Sequence, residues 1–523
     1  MILVWLIGIL MSGGLLALLS GIWNKNLPRW ISLFSVSAGF IGIISFWIDH
    51  YPITQFSNQW LVQYLSDWIP AFGITFHLAI DGLSLLLLAL TFFLGILAVL
   101  CSWTDVKERV GFYHFNLLWI LAGICGVFMA LDLFLFYFFW EVMLIPMYFL
   151  IGIWGSENRV YAAYKFFIFT QASGLLMLLA ILGLYFIHGS NTGNYTFNYL
   201  ELIGTYIPEG VQNWLMLGFM IAFVVKLPIV PFHSWLPDAH AEAPTAGSLI
   251  LAGLLLKTGA YGILRFVLPL FPVASEQFAP IAMLLGVIGI IYGAIMAFSQ
   301  TDLKRLIAYT SVSHMGFVML GIFSFNELAL QGVVMQIVTH AISTGALFIM
   351  AGMLKERLHT RDINQMGGLW KQMPQMGVMG MLFAMASLGL PGLGNFIAEF
   401  LILLGAFKVN AWLTIIATLG LIFSAIYSLR IVQKVFLGSV GKVQPIQDLV
   451  WREILILASL TISIVWLGLY PQLVINTAKP MVEDIEKIFA GEGTAQLQRN
   501  KSIRRTQETS KQNNNKKGTY VSK

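Results

Sequence analysis

Charge is what this chain has least of. Only 11% of its 523 residues are Asp, Glu, Lys or Arg, against about a quarter in soluble domains, while 58% are apolar and mean hydropathy is +0.80. A water-soluble globule is excluded, and the bilayer is the expected solvent. Cysteine is nearly missing too. Cys101 and Cys125 both lie in apolar runs and cannot by themselves ligate an iron-sulfur cluster or a structural zinc, each of which needs about four ligands. The short alternating segments of a transmembrane barrel do not occur. No basic residue precedes the first apolar run, Ile2 to Ile22, and no small-residue cleavage site comes after it, so it is read as a retained helix and not a signal peptide. The net charge of +5 says little about partners. Ten of the thirty Lys and Arg residues lie from Lys479 onward, and nucleic-acid binding is not indicated.

What the chain does have is apolar runs of membrane-crossing length, close to the ~20 residues a helix needs. Fourteen are expected, near 2–22, 30–48, 82–102, 113–130, 132–153, 161–187, 213–235, 245–266, 280–298, 308–323, 329–352, 375–405, 411–436 and 452–470. The fold class expected is all-α: one bundle over residues 1–470, followed by a polar, largely disordered tail over 471–523. Sixteen basic residues, among them Lys107, Arg159, Lys304 and Lys355, fall in loops on one side, against Arg265 and Lys408 on the other. The positive-inside rule then puts the sixteen on the cytoplasm-like side and both termini opposite. The long loops at 49–81 and 188–212 lack Lys and Arg and are expected to cap the far side.

Ionisable residues inside apolar spans are expensive, and they mark the candidate site. Glu141 sits in FFWEVMLIP, Lys226 in FVVKLPIVP, Lys257 in GLLLKTGAY, His340 in IVTHAISTG and Glu399 in NFIAEFLIL; His314, in TSVSHMGF, lies nearer a span end. A buried lysine can also snorkel to an interface or pair once with an acid to fix packing. Lys226 and Lys257 stand too far from their span ends for snorkelling. Acids, lysines and histidines spread over several spans suit a relay of proton-binding sites, tuned by burial and by one another. Pro228 and Pro231 follow Lys226, and Pro391-Gly392-Leu393-Gly394 precedes Glu399. Spans seven and twelve should therefore be broken helices, which is the mark of two inverted five-helix repeats, spans 4–8 and 9–13.

Two other patterns carry less. Gly392-Leu393-Gly394 lacks the third glycine and the preceding strand of a dinucleotide site. His233, Asp238, His240 and Glu242 crowd a short loop without helical metal-ligand spacing.

The stretch Lys226-Leu-Pro-Ile-Val-Pro-Phe-His-Ser-Trp-Leu-Pro-Asp-Ala-His-Ala-Glu-Ala-Pro-Thr-Ala-Gly-Ser resembles the proton-translocating membrane subunits of complex I and the related multisubunit sodium/proton antiporters. So do Leu254-Leu-Leu-Lys-Thr-Gly-Ala-Tyr-Gly and Asp302-Leu-Lys-Arg-Leu-Ile-Ala-Tyr-Thr-Ser-Val-Ser-His-Met-Gly. The resemblance implies proton-translocating roles for Glu141, Lys226, Lys257 and His340. A glutamate at the twelfth-span position, Glu399, is similar to the chain 4 type, and the wording around Lys257 to the cyanobacterial and chloroplast forms. It further implies chain 2-like and chain 5-like membrane partners and a thylakoid bilayer with lumenal termini. No cofactor is expected in this chain; plastoquinone, iron-sulfur clusters and NAD(P)H or ferredoxin belong to other subunits. The alternative expectation is a subunit of a sodium/proton antiporter.

Overall fold

The computed structural model describes residues 1–51, 60–438 and 446–490. Its elements are α1 (Ile2–Ser20), α2 (Leu27–Asp49), β1 (Val62–Ile69), β2 (Ile74–Ile80), α3 (Gly82–Asp105), α4 (Val110–Met129), α5 (Leu133–Trp154), α6 (Arg159–Thr192), α7 (Glu209–Lys226), α8 (Trp235–Glu242), α9 (Thr245–Leu270), α10 (Pro272–Ser299), α11 (Leu303–Ile322), α12 (Glu327–Leu358), α13 (Pro374–Leu388), α14 (Gly394–Val409), α15 (Ala411–Phe436), α16 (Trp451–Leu469) and α17 (Gln472–Phe489). Among the described residues, eleven helices are long and apolar enough to cross a membrane: α1 to α6, α9, α10, α12, α15 and α16.

Helix starts at the span edges carry their own acceptors, because a bare N–H there has neither water nor a preceding turn to bond. Asp81 accepts from the Ser84 N–H at 2.8 Å, Asp132 from the Phe134 and Leu135 N–H groups, Asp302 from the Arg305 N–H, and Asn326 from the Leu328 N–H. Close packing inside the bundle uses small residues, as membrane helices must when no hydrophobic drive separates them from lipid. Gly286 of α10 and Gly316 of α11 face each other so closely that a methyl group on either would collide with the other helix's backbone.

Both expected breaks are present, and both are satisfied by a side chain from outside the severed helix. α7 stops at Lys226, and the Trp235 indole donates to the freed Val225 carbonyl at 2.8 Å. α13 stops at Leu388, whose carbonyl accepts from the Ser424 hydroxyl of α15 at 3.3 Å. Gly389 and Gly392 turn the chain there with φ of +82° and +94°, a region that glycine enters at little cost.

Three features depart from the expectation. The fold is mostly helical but not all-α, because the loop at 49–81 contains an antiparallel ribbon pairing Val62–Ile69 with Ile74–Ile80. Its residues alternate between half-buried and exposed along β1, too weakly apolar to stand out beside the spans. α9 is not a uniform helix; two π-helical turns, Leu251–Leu255 and Ile263–Val267, flank the α-helical turns that carry Lys257. Finally, residues 472–489, assigned to the tail, form α17. It buries Val474, Ala478, Met481, Val482 and Ile485, and Phe489 stacks on Phe325 at 3.8 Å. The tail expected over 491–523 lies outside the described residues.

Candidate functional site: a buried line of titratable residues

Four of the six candidate residues form one line through the middle of the bundle. The Lys257 ammonium of α9 donates to His340 Nδ1 of α12 at 2.7 Å. The His340 ring stands edge-on to His314 of α11, with centroids 5.5 Å apart. His314 Nδ1 meets Glu399 Oε1 of α14 at 2.9 Å. All four side chains are buried, at 2% exposure or less. The Gln336 amide, the Ser387 hydroxyl and the Tyr427 hydroxyl surround His314 at 3.3 to 3.4 Å, so the imidazole is positioned by polar groups, two of them hydroxyls that can relay a proton. Loose ends remain on this line. Glu399 Oε2 and His340 Nε2 have no hydrogen-bond partner, which is costly for buried polar atoms and common where a group must change protonation state.

The other two candidates stand apart. Lys226 is wholly buried at the α7 break, its Nζ without a hydrogen bond and lying 5.4 Å from the Trp140 ring and 5.1 Å from the Phe166 ring. Aromatic faces offset part of the cost of burying a cation but accept no proton. Glu141 of α5 is only half-buried and is held by the Gln171 amide at 3.4 Å. The two feel each other's charge without forming an ion pair.

Sequence reasoning missed a third lysine and undervalued a histidine. Lys304 of α11 is buried at the basic end and donates to the Ala243 carbonyl at 2.8 Å and the Ser248 hydroxyl at 3.3 Å. His240 of α8 is fully buried, stacked on Phe348 at 4.4 Å, with neither ring nitrogen bonded. Lys304 stands beside Arg305 in the first turn of α11 and so reads as an ordinary span-end charge. Of the residues expected to crowd a short loop, Asp238, His240 and Glu242 lie on helix α8 with His233 just before it, and the four do not gather around one point. Asp238 binds Lys165 at 2.7 Å and Arg305 at 2.6 Å, and Glu242 binds Arg361 at 3.4 Å. Among the described residues no three His, Cys, Asp or Glu side chains come together as a metal site. Arg29 of α2, Lys107, Lys304 of α11 and Lys355 of α12 all line a cavity of about 910 Å³ at one end of the bundle.

Residues 130–424, more than half of the chain, match the family described as NADH:quinone oxidoreductase/Mrp antiporter, TM. The chain belongs to that family. NADH-quinone oxidoreductase subunit M of Pseudomonas aeruginosa is 54% identical over 93% of this chain and 98% of its own. Subunit M of Escherichia coli K12 is 51% identical over 94% and 99%. The fold overlays a chain of respiratory complex I from Thermus thermophilus with a TM-score of 0.84 at 30% identity, covering 94% of this chain and all of the other. A chain of the Mrp complex from Dietzia overlays at 0.82 with 19% identity, a likeness of fold alone. These relatives are bacterial and do not support a thylakoid membrane, photosynthesis or plastoquinone. The wording around Lys257 is a poor guide to such settings, because α9 is buried along its whole apolar window and its residues answer to packing.

Proposed function

We propose that the chain is an antiporter-like subunit in the membrane arm of a complex I-type NADH-quinone oxidoreductase, moving protons through the Lys257, His340, His314 and Glu399 line. The observation that carries this is the close succession of those four buried titratable groups, two hydrogen-bonded pairs joined by a ring-edge contact between His340 and His314. Quinone, NADH and iron-sulfur chemistry are supplied by other subunits, and chain 2-like and chain 5-like subunits are the membrane neighbours. Coupling then arrives by movement or charge at the ends of the line, with Lys226 and Glu141 as the entry pair. The alternative, a sodium/proton antiporter subunit, is disfavoured by relatives above 50% identity that are NADH-quinone oxidoreductase subunits.

In this reading α7, α11 and the α13–α14 pair also cross the bilayer, which with the eleven long apolar helices makes fourteen spans. The two breaks occupy the fourth place in two five-span repeats, 4–8 and 9–13, related by inversion. The basic loops face the cytoplasm and both termini face away from it. Purification of the native assembly tests the function. Co-purifying iron-sulfur subunits with NADH-driven, proton-pumping quinone reduction are expected; a complex without redox subunits that exchanges sodium for protons would overturn the reading.

A further inference from the structure

A second polar line leaves Lys257 away from His340. Tyr261 lies one turn further along α9 and Arg265 two turns, the spacing that keeps side chains on one face. The Arg265 guanidinium sits 5.6 Å from the Tyr261 ring centroid, so the π-helical turn does not carry it off that face. Eight residues span about 12 Å of helix, enough to run from mid-span to the end where the β1–β2 ribbon sits. Along the way the Tyr261 hydroxyl donates to the Phe128 carbonyl at 3.0 Å and lies 3.5 Å from the Ser84 hydroxyl. The line ends at an ion pair between Arg265 and Asp81, with side chains each 2% exposed, and the Trp60 ring covers the guanidinium at 4.7 Å.

As a fastener this pair is a poor choice. Desolvating both charges cancels most of their attraction, and apolar residues of the same shape hold helices at least as well. As a stopper it is effective. A guanidinium cannot give up its proton, and its fixed positive charge repels an approaching one. We infer that the Arg265–Asp81 pair is the gate at the ribbon end of a proton exit path running from Lys257 along α9 through Tyr261. The inference rests on the reading of Lys257 as a proton carrier.

In the step itself, the Tyr261 oxygen accepts the proton that Lys257 releases, through one bridging water, while its own proton passes outward. Asp81, freed when Arg265 turns away, takes up that proton and returns to a carboxylate by delivering it to the ribbon side. The balance is one proton lost by Lys257 and one gained outside, with Tyr261 and Asp81 unchanged. Half-buried Asp484 of α17 lies close enough for its charge to act on both Arg265 and Asp81.

The test uses the intact complex in sealed vesicles with a trapped pH dye and an imposed pH step, without NADH. Arg265→Gln, which removes the repelling charge and leaves Asp81 free to accept, should raise passive proton leak several-fold over wild type, and adding Tyr261→Phe or Lys257→Met should return it to baseline. A wild-type leak in the assembled Arg265→Gln complex overturns the gate. A leak that survives Tyr261→Phe but stops with Lys257→Met overturns this route and leaves Lys257 its role. A leak that survives Lys257→Met overturns the role of Lys257 itself. Tyr261→Phe alone, which removes one hydroxyl, gives an independent readout should Arg265→Gln fail to assemble. Several-fold weaker NADH-driven acidification from a fully assembled complex is expected, and undiminished acidification overturns the proposal.

Discussion

Lys257 and His340 share a 2.7 Å hydrogen bond, and among the described residues neither forms an ion pair with a carboxylate. Two bases in contact, cut off from water, hold one proton between them far more readily than two. With the lysine charged, His340 Nδ1 must be the acceptor and the ring neutral. Lys257→Arg separates charge from exchange, since arginine keeps the cation but does not release it. Coupled quinone reduction is expected to fall about tenfold or more, with the complex still assembled on native gels. Wild-type turnover in that variant would mean that only the charge matters.

Glu141 and Lys226 make a second test. Lys226→Ala and Glu141→Gln should each abolish or severely impair coupled turnover. If the two served packing alone, Lys226→Met with Glu141→Gln, which removes both charges while keeping similar shapes, would recover both assembly and activity. The expectation here is a double variant that assembles and stays inactive. Proton release into sealed vesicles measures the difference.

Topology can be read with single cysteines, because the native Cys101 and Cys125 are buried and shielded from reagents. Cysteines at Lys107 and Glu157, both exposed, should react with a membrane-impermeant maleimide from the cytoplasmic side, and one at Asn191 from the other. Reaction of all three from one side would sink the arrangement.

Two truncations distinguish α17 from the polar segment beyond it. Deleting Gly491 to Lys523 should leave assembly and turnover intact, since that segment is too polar to bury a face. Deletion from Pro471 onward removes five buried apolar side chains, of which Val474, Met481, Val482 and Ile485 are worth about 1.5–3 kcal/mol each, and should cost assembly. Native gels of the two shortened chains compare them directly.

Gly316 allows a test of packing two residues from His314. A Cβ there would come within 2.6 Å of the Gly286 carbonyl and 2.7 Å of the Ile290 nitrogen, backbone atoms that cannot swing aside. Gly316→Ala should destabilise the subunit by about 1–3 kcal/mol, seen as earlier thermal loss of the assembled complex.

Much of this was legible because membranes make sequence loud. A charge inside an apolar run is costly enough that Lys226, Lys257 and Glu399 announced themselves, and the prolines beside Lys226 and Glu399 gave both breaks. What was not legible were relations across space. The contact of Lys257 with His340 spans 83 residues, and that of His314 with Glu399 spans 85. The separation of Lys226 from Glu141 was equally hidden, because spacing along a chain says nothing of whether two side chains touch. The β1–β2 ribbon and α17 escaped since each covers the end of a bundle with half-apolar faces, a signal the long spans drown out.

The apolar windows of α9 and α12 are buried along their whole length, unlike any other span among the described residues. A drug dissolved in the surrounding lipid therefore never meets Lys257 or His340. The approach the structure offers an inhibitor from water is the 910 Å³ cavity lined by Lys107, Lys304 and Lys355. Its potency should track its size and polarity, and gain nothing from greasiness.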